Sequence, residues 1–174
     1  MTLHHARHAL LVLILAVSSL LAACGNGSQA DRGPVTITAD SYCSLDGMAL
    51  ADYPGPKAQI HYAQGEPDLF CDTVEMFSIY LQPERQRPIV AMYVHDMARN
   101  DWDHPTGDWI DARTAYYVAG SRRRGSMGPT FASFARQSDA AAFAAREGGK
   151  VLAFDEITPE QVILDGGVLK DRAM

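Results

Sequence analysis

A thiol and a thioether stand five residues apart in the stretch Ser41-Tyr-Cys-Ser-Leu-Asp-Gly-Met48. Thiolate and thioether sulfur are soft donors, and soft donors select Cu(I). Gly47 precedes Met48 and lets the chain turn sharply enough to bring the sulfurs of Cys43 and Met48 to one side. A third soft sulfur, Met127, lies in Gly125-Ser-Met-Gly128. An apolar side chain in a glycine-flanked loop has little packing purpose, whereas ligation would explain it. Cys43, Met48 and Met127 are therefore the candidate Cu(I) ligands. His95 is a candidate fourth ligand or pH-sensitive neighbour, although a structural His at a strand terminus accounts for it more simply. Met92 reads as core and His61 as surface, while Met97 is ambiguous.

The compartment matters to a thiol. Residues Ala9 to Ala23 form an apolar run that is too short for a comfortable membrane span and fits the central region of a secretory signal. The run ends in Leu21-Ala22-Ala23-Cys24, which resembles the lipobox of bacterial lipoproteins. That resemblance implies cleavage after Ala23 and acylation of Cys24, with several acyl chains giving a stable anchor where one is marginal. Gly25 rather than Asp follows the cysteine, so the expected location is the outer membrane, lipid-anchored and facing the periplasm. Of the 174 residues, 15 are Lys or Arg and 21 are Asp or Glu; the signal removes one Arg and no acid, leaving a net charge of −7. Such a balance argues against general nucleic-acid binding. The one basic cluster, Arg122-Arg123-Arg124, reads as a solvated hairpin tip, and docking to a partner or to lipid headgroups is its sharper reading.

With Cys24 acylated, two cysteines remain in an oxidising compartment, and a structural Cys43–Cys71 disulfide is the default reading. Cys71 also has a local explanation. It precedes Asp72, a good helix N-cap, and Met76 is the fourth residue of that helix; these are the two positions of a hydrophobic staple. Cys71 can then be a packing residue. Cys43 has no comparable account.

The elements that must position these residues read as α+β, in two similar small halves, each strand-strand-helix-strand. Residues 1–23 are the signal and 24–39 a flexible tether. The first half, 40–98, holds the Cys-x4-Met loop, a strand over Ala58 to Ala63, and the short apolar piece Leu69-Phe70. Its helix begins at Asp72, with Glu75 at capping-box spacing, and stops at Pro83. A buried strand over Ile89 to Val94 closes it. Residues 99–112 form a Trp- and Asp-rich connector whose Trp102 and Trp109 seal the junction. The second half, 113–174, holds a strand over Ala115 to Ala119, a turn from Gly120 to Gly128 and a strand over Thr130 to Ala135. An Ala-rich helix capped by Ser138 follows, ending at Gly148-Gly149, then a strand over Val151 to Phe154. A last helical turn starts at Thr158-Pro159.

The Ser41 to Met48 stretch, Gly55-Pro-Lys-Ala-Gln-Ile60, Phe70-Cys-Asp-Thr73 with Met76-Phe77, Tyr93-Val-His-Asp96, Trp109-Ile-Asp-Ala112, Tyr117-Val-Ala-Gly-Ser121 and Gly125-Ser-Met-Gly128 together resemble the NosL family. The match runs in order along nearly all of the mature chain. It implies a copper-chaperone lipoprotein with a fold related to the organomercurial lyases; their catalysis is not carried over, because no matching set of paired cysteines and acid stands in the sequence, and the chain is read as no enzyme. It implies one Cu(I) per chain, with the family's Cys-x4-Met on Cys43 and Met48 and its second-half methionine on Met127. The implied recipient is apo nitrous oxide reductase, during assembly of its copper centre, with a membrane ABC-type assembly partner. Two other classes stand beside this reading. One is a disulfide-stapled scaffold lipoprotein of an envelope complex. The other is a thiol enzyme, which would need a base or resolving cysteine near Cys43, and the chain has no CxxC.

Overall fold

The computed structural model describes residues 33–84, 87–162 and 164. The signal segment, Cys24 and the first part of the tether lie outside the described residues. The first unit of structure is β1 (Ala58–Tyr62), β2 (Asp68–Phe70), α1 (Thr73–Tyr80) and β3 (Ile89–His95). Its strands are antiparallel in the order β2-β1-β3, with Ala58 opposite both Phe70 and Val94. The segment read as a connector contributes a further strand, β4 (Trp109–Asp111), paired to the free edge of β3 with Trp109 opposite His95.

The α1 start follows its sequence signal. The Asp72 carboxylate accepts from Val74 N–H, and the Glu75 side chain reaches back to the Asp72 N–H at 3.2 Å, completing a capping box. All of β1 is buried. The carboxamide of Gln59 exchanges two hydrogen bonds with the main chain of Val35, 2.9 and 2.7 Å, which draws the N-terminal segment against the strand. His61 is therefore not on the surface as expected. It is buried, hydrogen-bonded to Gln59 at 3.0 Å and edge-on to Tyr93.

The same order recurs with β5 (Tyr116–Ala119), β8 (Ala132–Phe134), α2 (Gln137–Glu147) and β9 (Lys150–Ala153), antiparallel as β8-β5-β9. Each sheet thus pairs its first strand with the second on one side and, after a helix, with the third on the other. Between β5 and β8, the expected turn is itself a small hairpin, β6 (Arg124–Gly125) with β7 (Gly128–Pro129). Ser138 does not cap α2. The N-cap is Arg136 without a side-chain bond, and Arg136 instead pairs with Asp139 at 2.7 Å. The helix ends at Gly148, whose φ of +76° explains the glycine.

One core spans both repeats. Phe77 of α1 lies edge-on to Tyr117 and Phe131, at 5.1 and 5.6 Å between centroids, and packs with Ile60, Met92 and Leu152. Along the seam, Met97 N–H donates to the Ser133 carbonyl at 2.8 Å and the Ser133 hydroxyl donates to the His95 carbonyl at 2.6 Å. Trp102 stacks on Phe143 of α2 at 5.5 Å and donates to the Arg124 carbonyl at 3.0 Å. Of the basic cluster, Arg123 lies over Trp102 at 4.8 Å, and Arg122 and Arg124 are exposed.

Candidate metal centre

Cys43 and Met48 face each other across a closed loop. Tyr42 and Ala49 form an antiparallel bridge, and Cys43 N–H donates to the Met48 carbonyl at 2.8 Å, so the two residues occupy opposite positions next to that bridge. The turn between them needs Gly47, whose φ is +77° and whose absent side chain would meet nothing. Conformation rather than space requires this glycine. Asp46 tightens the loop by accepting from Met48 N–H at 2.9 Å.

The second-repeat sulfur arrives on the β6–β7 hairpin. Ser126 and Met127 are its two tip residues, and the Ser126 hydroxyl donates to the Cys71 carbonyl at 3.0 Å and lies 3.1 Å from the Cys71 sulfur. That contact seats the tip over the start of α1. Met48 and Met127, both half-buried, pack against one cluster formed by Cys43, Leu50 and Cys71. The side chains of Cys43, Met48 and Met127, singled out by sequence, thus pack into one cluster drawn from both repeats.

Cys71 and Glu75 join them, a second cysteine and an acid beside Cys43 that sequence reasoning missed. Cys71 is buried in the sulfur cluster, whereas Met76 packs into the main core, so the two do not form the expected staple. Both cysteines are free thiols. Each donates to the same oxygen, Glu75 Oε2, from 3.3 Å for Cys43 and 3.1 Å for Cys71. Donor atoms of Cys43, Asp46, Cys71 and Glu75 all lie within 4.8 Å of one another. Among the described residues, Glu75 Oε1 is buried with no hydrogen-bond partner. The capping box told only half of what Glu75 does.

Electrostatics divides the two thiols. The neighbouring Cys71 thiol lowers Cys43 to about 6, against the opposing effect of burial, and Cys43 together with burial raises Cys71. Cys43 is the first thiolate of the pair. Burial pushes Glu75 up to about 8 and Asp72 to about 6. Beneath the cluster lies a buried cation, Lys57, which donates to the carbonyls of Tyr53, Pro54 and Cys71 at 2.7, 3.1 and 3.2 Å. Burial lowers it to about 8 despite the attraction of Asp72. His95 is no ligand to this cluster. It is fully buried against Trp109 at 3.9 Å, and burial and Lys57 hold it down to about 3, so it stays neutral.

Glu75 yields a pH prediction. Its folded value lies above its ordinary 4.5, so the protonated form contributes stability that is complete below about 4.5 and lost as pH rises through about 8. Gln is neutral at every pH and can still accept the Asp72 N–H as a capping-box residue. Glu75→Gln is therefore expected to gain stability relative to the parent as pH rises. By about pH 8 the gain is expected to be at least on the order of 1–3 kcal/mol, the cost of leaving a buried polar group unsatisfied. Urea unfolding of the metal-free, reduced protein at about pH 5 and about pH 8 measures it. A difference that does not change with pH would show that the buried carboxylate carries no such penalty.

Comparison with known proteins adds an independent line. The family model described as NosL matches residues 34–162. The copper-binding lipoprotein NosL of Stutzerimonas stutzeri is 42% identical over 151 residues, covering 85% of this chain and 78% of that protein. Its namesake from Achromobacter cycloclastes is 41% identical over 158 residues, covering 87% and 81%. The crystal structure of the copper chaperone NosL from Shewanella denitrificans superposes with a TM-score of 0.71 at 37% identity, covering 75% of this chain and 98% of that one.

Proposed function

The chain belongs to the NosL family, and we propose that it is an envelope lipoprotein that binds one Cu(I) through Cys43, Met48 and Met127 and passes it to apo nitrous oxide reductase while that enzyme's copper centre is built. The observation that carries this reading is the convergence of the Cys43–Met48 loop and the Met127 hairpin tip on one sulfur cluster with a low-pKa thiol. The donor set suits the cargo. One thiolate cancels the charge of Cu(I) and two thioethers add none, so the loaded site is neutral and costs little to hold in an apolar setting.

Release follows from exposure. Cys43 is buried, but the two methionines are half-buried, so a recipient's ligands reach the metal from the thioether side. Each thioether is displaced in turn by an incoming donor, and the copper moves without being set free. An acylated Cys24 anchors the chain to a membrane, the outer one in this reading, and the part of the tether ahead of Val35 gives reach toward a membrane ABC-type assembly partner, since Gln59 holds Val35 against β1. The function asks for no catalysis and no nucleic-acid partner. A disulfide-stapled scaffold fits less well, because Cys43 and Cys71 are free thiols sharing one carboxylate oxygen.

The test is transfer. Cu(I)-loaded, detergent-solubilised protein is mixed anaerobically with apo nitrous oxide reductase, the two are separated, and copper is counted in each. Copper is expected in the reductase and not in an unrelated apo copper protein offered in its place. Copper that stays with the donor, or that reaches both acceptors equally, would overturn delivery as the function.

A further inference from the structure

Cys71 is the one sulfur of the cluster that the ligand set above leaves out. Its thiol lies within 4.8 Å of the Cys43 thiol, on the inner side of the cluster, and is fully buried where Met48 and Met127 are half-buried. The surroundings are built around it. Ser126 sits 3.1 Å from the sulfur and Glu75 Oε2 accepts its proton at 3.1 Å. The Lys57 ammonium holds the Cys71 carbonyl at 3.2 Å, placing a buried positive charge under the thiols.

We propose that Cys71 is a second thiolate ligand, so that Cu(I) rests between the sulfurs of Cys43 and Cys71 and moves to Cys43, Met48 and Met127 for handover. This rests on the copper-binding reading above and adds an inner station to it. Soft, two-coordinate binding by a pair of thiolates suits Cu(I). Loading breaks two S–H bonds and forms two Cu–S bonds; both protons leave to the buffer, and copper stays in the +1 state throughout. The bis-thiolate centre carries one net negative charge, which Lys57 offsets from below. Because Cys43 belongs to both stations, the metal keeps its first ligand while its bond to Cys71 breaks, bonds to the two thioethers form, and the Cys71 thiolate takes a proton back from the buffer. A closed inner station protects the copper, and an open outer station lets it go.

X-ray absorption of the Cu(I)-loaded parent, in full-length detergent-solubilised form, reads the ligands directly. Two short Cu–S(thiolate) contacts are expected; one short contact with two longer thioether contacts would overturn the proposal. In parallel, Cys71→Ser, which can keep the hydrogen bonds to Ser126 and Glu75, and Cys71→Ala are titrated anaerobically against a competing Cu(I) chelator. One Cu(I) per chain is expected in both, with affinity reduced by more than about a hundredfold, beyond what loss of an outer-sphere partner costs. The thiolate-to-Cu(I) absorbance per copper should fall with it. Parent-like affinity and absorbance in both variants would remove Cys71 from the site while leaving the copper reading intact. If Cys43→Ser also behaves like the parent, the copper reading itself fails.

Discussion

Replacing Cys43 by Ser is expected to lower Cu(I) affinity by at least about a thousandfold, as judged by anaerobic titration against a chromophoric Cu(I) chelator. The scale follows from how such sites divide their energy. A structural zinc site is worth on the order of 10–16 kcal/mol, and on that scale one ligand's share is about 4 kcal/mol, or about a thousandfold. Cys43 exceeds that share because it is the thiol held at about 6, the first of the pair to give up its proton. A serine hydroxyl is a hard, neutral donor. It leaves the charge of Cu(I) uncompensated beside the buried ammonium of Lys57. The substitution is close to isosteric and the hydroxyl can still donate to Glu75 Oε2, so the fold should persist, and circular dichroism confirms that before binding is read. Met48→Leu and Met127→Leu keep the apolar packing and are expected to cost less, about tenfold each, since a lost thioether removes a neutral donor. A Cys43→Ser protein that binds Cu(I) as tightly as the parent would move the site elsewhere.

The parts of this site that could be read from sequence are those whose cause is local. Gly47 before Met48, and the glycines around Met127, announce sharp turns within a few residues, and the structure uses both turns to present sulfur. The α1 boundary was legible for the same reason, since a capping box is written in four consecutive residues. What sequence did not reveal is set by distant packing. Glu75 had a sufficient local role as a capping residue, which hid its second role between two thiols from different segments. Cys71 offered a local hydrophobic partner in Met76, yet the chain sends those side chains to different clusters. Lys57 has no local cause for burial in the sequence; only the folding of residues 53–57 under the Cys71 carbonyl buries it. His61 was misjudged because Val35, 26 positions earlier, covers its strand through Gln59.

Gly125→Ala is expected to be among the most damaging substitutions in the fold, although it adds one methyl group. A Cβ at this position would lie 2.0 Å from Asp72 Oδ2 and 3.0 Å from Thr130 Cβ. Close approach is required from the other side too, because a Cβ on Gly55 would fall 2.9 Å from the Gly125 Cα. The hairpin strand β6 is thus pressed between the Gly55 turn and the cap of α1, and room rather than backbone freedom demands glycine. Asp72 cannot move aside freely. Its carboxylate caps α1 through Val74 N–H at 2.9 Å and accepts from the Thr130 hydroxyl at 2.7 Å. Overpacking costs about 1–3 kcal/mol, and disturbing the cap about 1 kcal/mol more. Together these remove a large part of the 5–15 kcal/mol, roughly, that holds a domain folded. The urea midpoint should fall accordingly, and Cu(I) affinity with it, since the same hairpin carries Met127. Asp72→Ser gives the decisive control, because it shortens the clashing side chain and keeps a capping hydroxyl. In the double variant the two losses should add to less than their sum, by at least about 0.5 kcal/mol, as expected for residues in contact. Fully additive losses would mean that position 125 needs glycine for a reason other than the space taken by Asp72.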